Sequence, residues 1–296
     1  MKNLRYYIEF QLLKFILIIV RNIPYKWALW LGGAITGFFW RIGIRKNIAR
    51  KNFEIFFGDK YTASERDKIL WKSYVNFGKS MTEFALISPF SKCCLKQLVD
   101  MDGAQELFDL KEKGQGAILV TGHLGSWELL GASMVAHELP IDFLVGIQSN
   151  SKVNEMMNEE RRSLGIGIIS MGVAARGVMK ALRKGHMVAM LSDQDGGRAG
   201  IEVEMCGKKV LTPGGPAAFA MKTGVPIITG ICIRNDDNYT HRLETSYLKM
   251  PELTGNHKKD VELVTQAYTD KIEEYIKEYP TLWFWPHRRF KYSIDY

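Results

Sequence analysis

Cysteine is scarce in this chain: four residues in 296, two of them adjacent as Cys93-Cys94, and none spaced as Cys-x-x-Cys. That argues against a disulfide framework or a thiolate metal site and leaves Cys93, Cys94, Cys206 and Cys232 as reduced, mostly packed thiols. The six histidines never form His-Glu-x-x-His, so the metalloprotease pattern is missing. No Gly-x-Ser-x-Gly elbow is present, which weakens a serine hydrolase. Gly78-Lys79-Ser80 lacks the upstream glycine of a phosphate loop, and Gly165-Ile166-Gly167 lacks the third glycine of a dinucleotide fingerprint. There is also no internal repeat and no low-complexity linker.

Two further absences are positional. Beyond residue 60 the chain has no net charge: residues 1–60 carry eleven Lys or Arg against three acids, which accounts for the whole +8. Neither apolar N-terminal run reaches the ~18 uninterrupted residues of a confident spanning helix. Leu4 to Val20 is interrupted by Arg5, Glu9, Gln11 and Lys14. Trp27 to Trp40 is free of charge but short, and Asn22-Ile23-Pro24 separates the two. A short apolar, Trp-rich segment beside Arg41, Arg45, Lys46, Arg50 and Lys51 suits an anionic membrane surface better than nucleic acid. It also suits a re-entrant or interfacial segment, with the basic cluster on the cytoplasmic side. The alternative is that both segments pack as soluble helices on the main body.

What the chain does have is material for one large domain, being 46% hydrophobic. Residues 61–87 read as helical, with Ser64 as a cap and Ile69, Tyr74, Phe77 and Met81 at helical spacing. From Ala104 onward, strands and helices alternate. Strands are predicted at 117–121, 141–147, 166–170, 187–192, 202–205, 226–233 and 243–248. Helices are predicted at 104–113, 127–137, 152–164, 174–184, 215–223 and 258–278. This alternation predicts an α/β fold with a mostly parallel central sheet flanked by helices, in which ligands sit beyond the carboxyl ends of strands. A helical membrane-attachment segment (residues 1–50) precedes a domain spanning 51–296.

Chemistry concentrates in Gly122-His123-Leu124-Gly125-Ser126-Trp127-Glu128, between the run Ala117–Val120 and a helix beginning at Trp127. A histidine at a strand end with a carboxylate in the next helix's first turn makes an oriented general base. Five helical residues turn the chain by about 500°, so His123 must lie outside the helix. Gly122 and Gly125 allow the loop to fold back, and Ser126 is a good N-cap. Nearby backbone N–H groups are placed to hold an anion. The bland reading is a surface histidine beside a helix start. Asp193-Gln194-Asp195 follows another strand end and suits a metal, a hydroxyl-bearing acceptor, or nothing more than a polar turn. Glu159-Glu160-Arg161-Arg162 offers arginine forks for phosphate or carboxylate, or simply a solvated helix face. In Trp283-Phe284-Trp285-Pro286-His287-Arg288-Arg289 the aromatics are expected to close the core and the arginines to face an anionic partner.

Taken together, these blocks resemble a known family. His123-Leu-Gly-Ser-Trp-Glu128 is similar to the His-x4-Asp/Glu motif of the glycerolipid acyltransferase superfamily, and the Trp before Glu resembles its lipid A lauroyl/myristoyl branch. Leu191-Ser-Asp-Gln194, Thr212-Pro-Gly-Gly-Pro-Ala-Ala-Phe-Ala220 with Thr223-Gly-Val-Pro226, and Pro280 to Arg289 follow in the same order. The resemblance implies transfer of a fatty acyl chain, from acyl-carrier protein or acyl-CoA, to a hydroxyl of a lipid A precursor or related glycolipid. It implies His123 and Glu128 as catalytic residues and Arg161 as substrate-binding, with Asp193, Gln194 and Gly125 lining the site. It requires no metal or other cofactor and no nucleic acid. With the basic cluster, it implies the bacterial inner membrane, the active domain facing the cytoplasm. Gln148, where many members carry arginine, and Met205-Cys206-Gly207, in place of Phe-Phe-Gly, leave the acceptor and chain length open. An acyl hydrolase and a non-catalytic lipid-binding protein are the competing readings.

Overall fold

The computed structural model describes residues 2–296. Five helices come first: α1 (Lys2–Arg21), α2 (Tyr25–Arg41), α3 (Lys46–Phe57), α4 (Ala63–Leu86) and α5 (Lys92–Leu98). The alternating region then runs β1 (Val99–Asp100), α6 (Gln105–Glu112), β2 (Ala117–Thr121), α7 (Trp127–Ala136), β3 (Ile141–Val145), α8 (Ser151–Leu164), β4 (Gly167–Ser170), α9 (Ala174–Arg183) and β5 (Met187–Leu191). It closes with β6 (Ile201–Met205), β7 (Lys208–Thr212), α10 (Gly215–Thr223), β8 (Ile227–Arg234), β9 (His241–Tyr247) and α11 (His257–Glu278).

Seven strands form the central sheet in the order β1-β9-β8-β2-β5-β3-β4. Every neighbouring pair is parallel except β8 with β9. β2 is buried along its whole length between β5 and β8, which is why it reads as a continuous apolar run rather than an alternating one. Its side chains divide by period two. Ile118 and Val120, with Val188 and Met190 of β5, pack toward Val264, Tyr268 and Ile272 of α11. Ala117 and Leu119, with Met187 and Ala189, pack toward Leu107, Leu110, Leu129 and Leu130 of α6 and α7.

β1 and β7 escape sequence reading. β1 has only two residues, and β7 pairs with β6 in a hairpin outside the main sheet. Cys206 and Gly207 make that hairpin's turn, both at positive φ, as a two-residue connection between twisted strands requires. Caps also differ from expectation. Thr62, not Ser64, caps α4, in a reciprocal capping box with Glu65.

The N-terminal helices correct one expectation outright. Among the described residues no helix is long and apolar enough to cross a membrane, which corrects the inner-membrane placement expected above insofar as it meant an integral one. α2 has 17 residues, short of the ~20 a span needs, and α1 carries Arg5, Glu9 and Lys14 within its length. α2 instead packs along α4. Gly32 and Gly78 face each other so closely that a Cβ on Gly78 would lie 2.2 Å from the Gly32 carbonyl oxygen. The outer surfaces of α1 and α2 stay apolar and open: Leu4, Ile8, Leu12 and Phe15 on one, Trp27, Trp30 and Phe38 on the other, are all exposed.

Candidate active site

Thr121 at the end of β2 lies directly opposite Leu191 at the end of β5. Two residues beyond each end come His123 and Asp193, so neighbouring parallel strands in register deliver an imidazole and a carboxylate to one place. His123 Nδ1 and Asp193 Oδ1 are 2.9 Å apart. Gly122 permits the approach, since a Cβ there would meet the Asp193 Cβ at 2.9 Å. Asp193 is buried, and its second oxygen accepts the Trp283 indole N–H at 2.9 Å. Burial alone would raise the Asp193 pKa. The charge and hydrogen bond of His123, helped by Trp283, outweigh it and hold the group at about 2. The His123 ring packs edge-on to Trp127 at 5.0 Å between centroids. Its side chain remains 28% exposed, and no described residue bonds to Nε2.

Glu128 is buried at the start of α7, and its hydrogen-bonding partner is not the ring. Both its oxygens take the Arg161 fork, Nη2 to Oε1 at 2.6 Å and Nε to Oε2 at 3.0 Å. Arg161 also donates to Asn158 Oδ1 at 3.1 Å and lies over the Phe84 ring. Such a bidentate pair fixes both groups. Arg162, one position on, is a surface residue paired with Glu155 and Glu159. Of the two adjacent arginines the helix turn brings Arg161 to Glu128 and leaves Arg162 at the surface.

Other anticipated roles are redistributed. Gly125 has φ +66°, and a Cβ there would sit 2.0 Å from the Cys232 carbonyl oxygen, so glycine is obligatory. Its N–H donates to the Leu282 carbonyl, and that of Ser126 to the Cys232 carbonyl, so both amides are already engaged. The Ser126 hydroxyl does not cap α7; it donates to Glu83 Oε2 at 2.8 Å. Gln194 contributes its carbonyl to Arg289. Arg289 faces inward rather than toward a partner. Fully buried, it also donates to the Leu211 carbonyl and the Thr212 hydroxyl, stapling the loop after β5 to β7. His287 Nε2 accepts the Asp195 N–H at 3.1 Å, which requires that nitrogen to be unprotonated.

Glu83 of α4 is the residue sequence reading passed over. It receives Arg234 from β8 on both oxygens, Tyr25 from α2 and Ser126 from the motif loop. Burial opposes its ionisation, but Arg234, His241 and these hydrogen bonds pull its pKa below the ordinary value. Glu83→Ala would leave Arg234 buried and unpaired, so a loss of about 3–5 kcal/mol is expected in denaturant unfolding. A loss below about 1 kcal/mol would show the cluster to be dispensable.

Acid sensitivity follows from two histidines. Burial lowers His241 and His287 to about 4. The unfolded chain takes up these protons near its ordinary pKa of about 6.5, while the fold resists until about 4. Stability should be full above about pH 6.5 and decline as pH falls toward 4, with Asp193 adding loss down to about 2. Thermal midpoints recorded from about pH 8 to about pH 3 test this, and a flat profile between about 4 and 6.5 would contradict it.

A strand-end histidine anchored by a buried carboxylate, with its outer nitrogen open, is equipped to remove a proton from a hydroxyl. Comparisons with known proteins agree on what kind of enzyme carries it. The lipid A biosynthesis palmitoleoyltransferase of Escherichia coli K12 is 27% identical over 276 residues, covering 91% of this chain and 87% of its own. The phosphatidylinositol mannoside acyltransferase of Mycolicibacterium smegmatis is 24% identical over 273 residues, covering 90% and 86%. The lipid A biosynthesis lauroyltransferase of E. coli K12 is 23% identical over 280 residues, covering 93% and 89%. Residues 1–292 match the bacterial lipid A biosynthesis acyltransferase family, and the chain is an acyltransferase belonging to it.

Proposed function

We propose that the enzyme moves a fatty acyl chain from an acyl thioester to a hydroxyl of a lipid A precursor or a related glycolipid, with His123 as general base. The observation that carries this is the 2.9 Å contact between His123 Nδ1 and the buried Asp193. A carboxylate on Nδ1 holds its proton there and leaves Nε2 as the basic nitrogen. Nε2 takes the proton of the acceptor hydroxyl as that oxygen attacks the thioester carbonyl. The tetrahedral intermediate collapses, the C–S bond breaks, and the imidazolium protonates the departing thiolate. Asp193 stabilises the imidazolium while it lasts.

His123 and Glu128 remain the pair supplied by the motif, acting at different points. Glu128 locks Arg161 against α7, so that the guanidinium is presented to a phosphate or to the oxyanion instead of roaming. Its preorganised donors would act in the transition state, where one such contact is worth about 3 kcal/mol. Gln194 and Gly125 shape the floor through their backbones. Acyl-carrier protein is the donor we favour, since the basic N-terminal segment would attract an acidic carrier. One relative is a phosphatidylinositol mannoside acyltransferase and another a palmitoleoyltransferase of lipid A biosynthesis, which supports a glycolipid acceptor without choosing between them.

Residues 1–50 form the membrane-facing segment and 51–296 the catalytic body. The exposed apolar faces of α1 and α2, with Trp27 and Trp30 among them, suit helices lying in a bilayer surface. Labelled acyl-carrier protein, incubated with and without total membrane lipid, tests the whole reading. Label should pass to a glycolipid only when lipid is present. Free fatty acid released without an acceptor would make the protein a hydrolase, and no turnover at all would make it a lipid-binding protein.

A further inference from the structure

Trp71, Val75 and Lys79 recur every four residues on α4 and so share one face of that helix. This face is the common wall of two clefts. On the α2 side lies a groove of about 340 Å³ lined by Trp30, Gly33, Gly37 and Phe38. On the other side lies a cleft of about 690 Å³ that adds Lys72, Asn76 and Arg242. The glycines of α2 set the first: a Cβ at Gly33 would lie 3.0 Å from Val75 and one at Gly37 3.1 Å from Trp71, so the two helices pack closely and the groove runs along their seam. Both volumes fall in the range of sites that bury small ligands. One seam therefore runs from an apolar groove beside exposed Trp30 and Phe38 to a cleft where Lys72, Lys79, Arg234 and Arg242 face the single carboxylate of Asp236.

We propose that this seam holds one anionic phospholipid, one of its two acyl chains along the α2 glycines and its phosphate between Lys72 and Lys79. Charge complementarity selects this occupant. Lys72 is exposed and has no ion-pair partner among the described residues. Lys79 is half buried, bonded only to the neutral amide of Asn238 at 3.0 Å. Burial and the nearby Arg234 depress its pKa against the pull of Glu83, so an incoming phosphate would favour the charged ammonium. Compact ammonium groups suit a phosphate approached from several directions. Trp71 between the two clefts offers a ring at the depth where headgroup meets chain. The site is separate from His123 and rests on the reading that α1 and α2 meet a bilayer.

Native mass spectrometry after exposure to mixed phosphatidylglycerol and phosphatidylcholine micelles tests the site, and vesicle flotation tests the bilayer reading independently. The wild-type chain should retain one phosphatidylglycerol. The Lys72→Gln/Lys79→Gln protein should lose that adduct by about tenfold, the equivalent of one charge-assisted contact. Lys258→Gln/Lys259→Gln, with the same charge change on α11, should keep it. Equal retention of both lipids, or an unchanged adduct in the Lys72/Lys79 variant, overturns the proposal. Flotation without a specific adduct defeats the site but not the bilayer reading; an adduct without flotation does the reverse.

Discussion

His123→Ala is expected to lower acyl transfer by about 10²–10⁴-fold, the usual contribution of a general base. The side chain is partly exposed and makes one polar contact, to Asp193. Its removal therefore leaves a buried carboxylate with the Trp283 indole as remaining partner, and some loss of thermal stability accompanies the loss of rate. His123→Asn separates the two effects. Its amide nitrogen stands where Nδ1 does and can still donate to Asp193, but asparagine accepts no proton near neutrality. Both variants should be equally inactive, with the asparagine protein melting closer to wild type. Turnover in either within tenfold of wild type would remove His123 from the chemistry and with it the proposed reaction.

The second large effect is expected at Asp193. Asp193→Asn keeps the size and a hydrogen-bonding atom beside Nδ1 but removes the charge that favours the imidazolium. The equivalent change in serine-protease triads costs about 10⁴-fold, and here a fall in kcat of about 10²–10⁴-fold is expected. KM should change little, because Asp193 is buried behind the ring. A fall in kcat at near-constant KM in a protein that still melts cooperatively is a split that purely structural damage would not produce. Glu128→Gln is the comparison. It breaks the fork to Arg161 and should raise KM as well as lower kcat, through substrate binding and transition-state charge. If Glu128→Gln lowered kcat alone and Asp193→Asn did not, Glu128 would be the ring's carboxylate during turnover.

Why the sequence pointed to Glu128 is clear from what periodicity can carry. The strand 117–121, the loop 122–126 and the helix from Trp127 were legible because their signals are local: an apolar run, two glycines and a helix start. Glu128 is local to His123 as well. Asp193 lies 70 residues away, and its approach depends on β5 rather than β3 lying next to β2. Strand order leaves no trace in hydrophobic pattern, so the acidic turn after β5 was seen as a candidate without its partner. In the tail, the aromatics Trp283, Trp285 and Phe290 close the core as expected, while Arg289 departs from expectation for the same reason. Arg289 resembles a surface cation until the carbonyls of 194 and 211 are brought around it. Glu83 carries no local signal, since nothing near it in the chain announces Arg234. The two apolar N-terminal runs were correctly located, but whether such helices span or lie flat depends on what packs against them, and α4 supplies that answer for α2.

The contact between Trp283 and Asp193 ties the strength of the ring to the far end of the chain. Here the brace comes from residues synthesised long after the histidine, so a nascent or clipped chain holds the reactive ring without the support that makes it strong, and full potency coincides with completed folding.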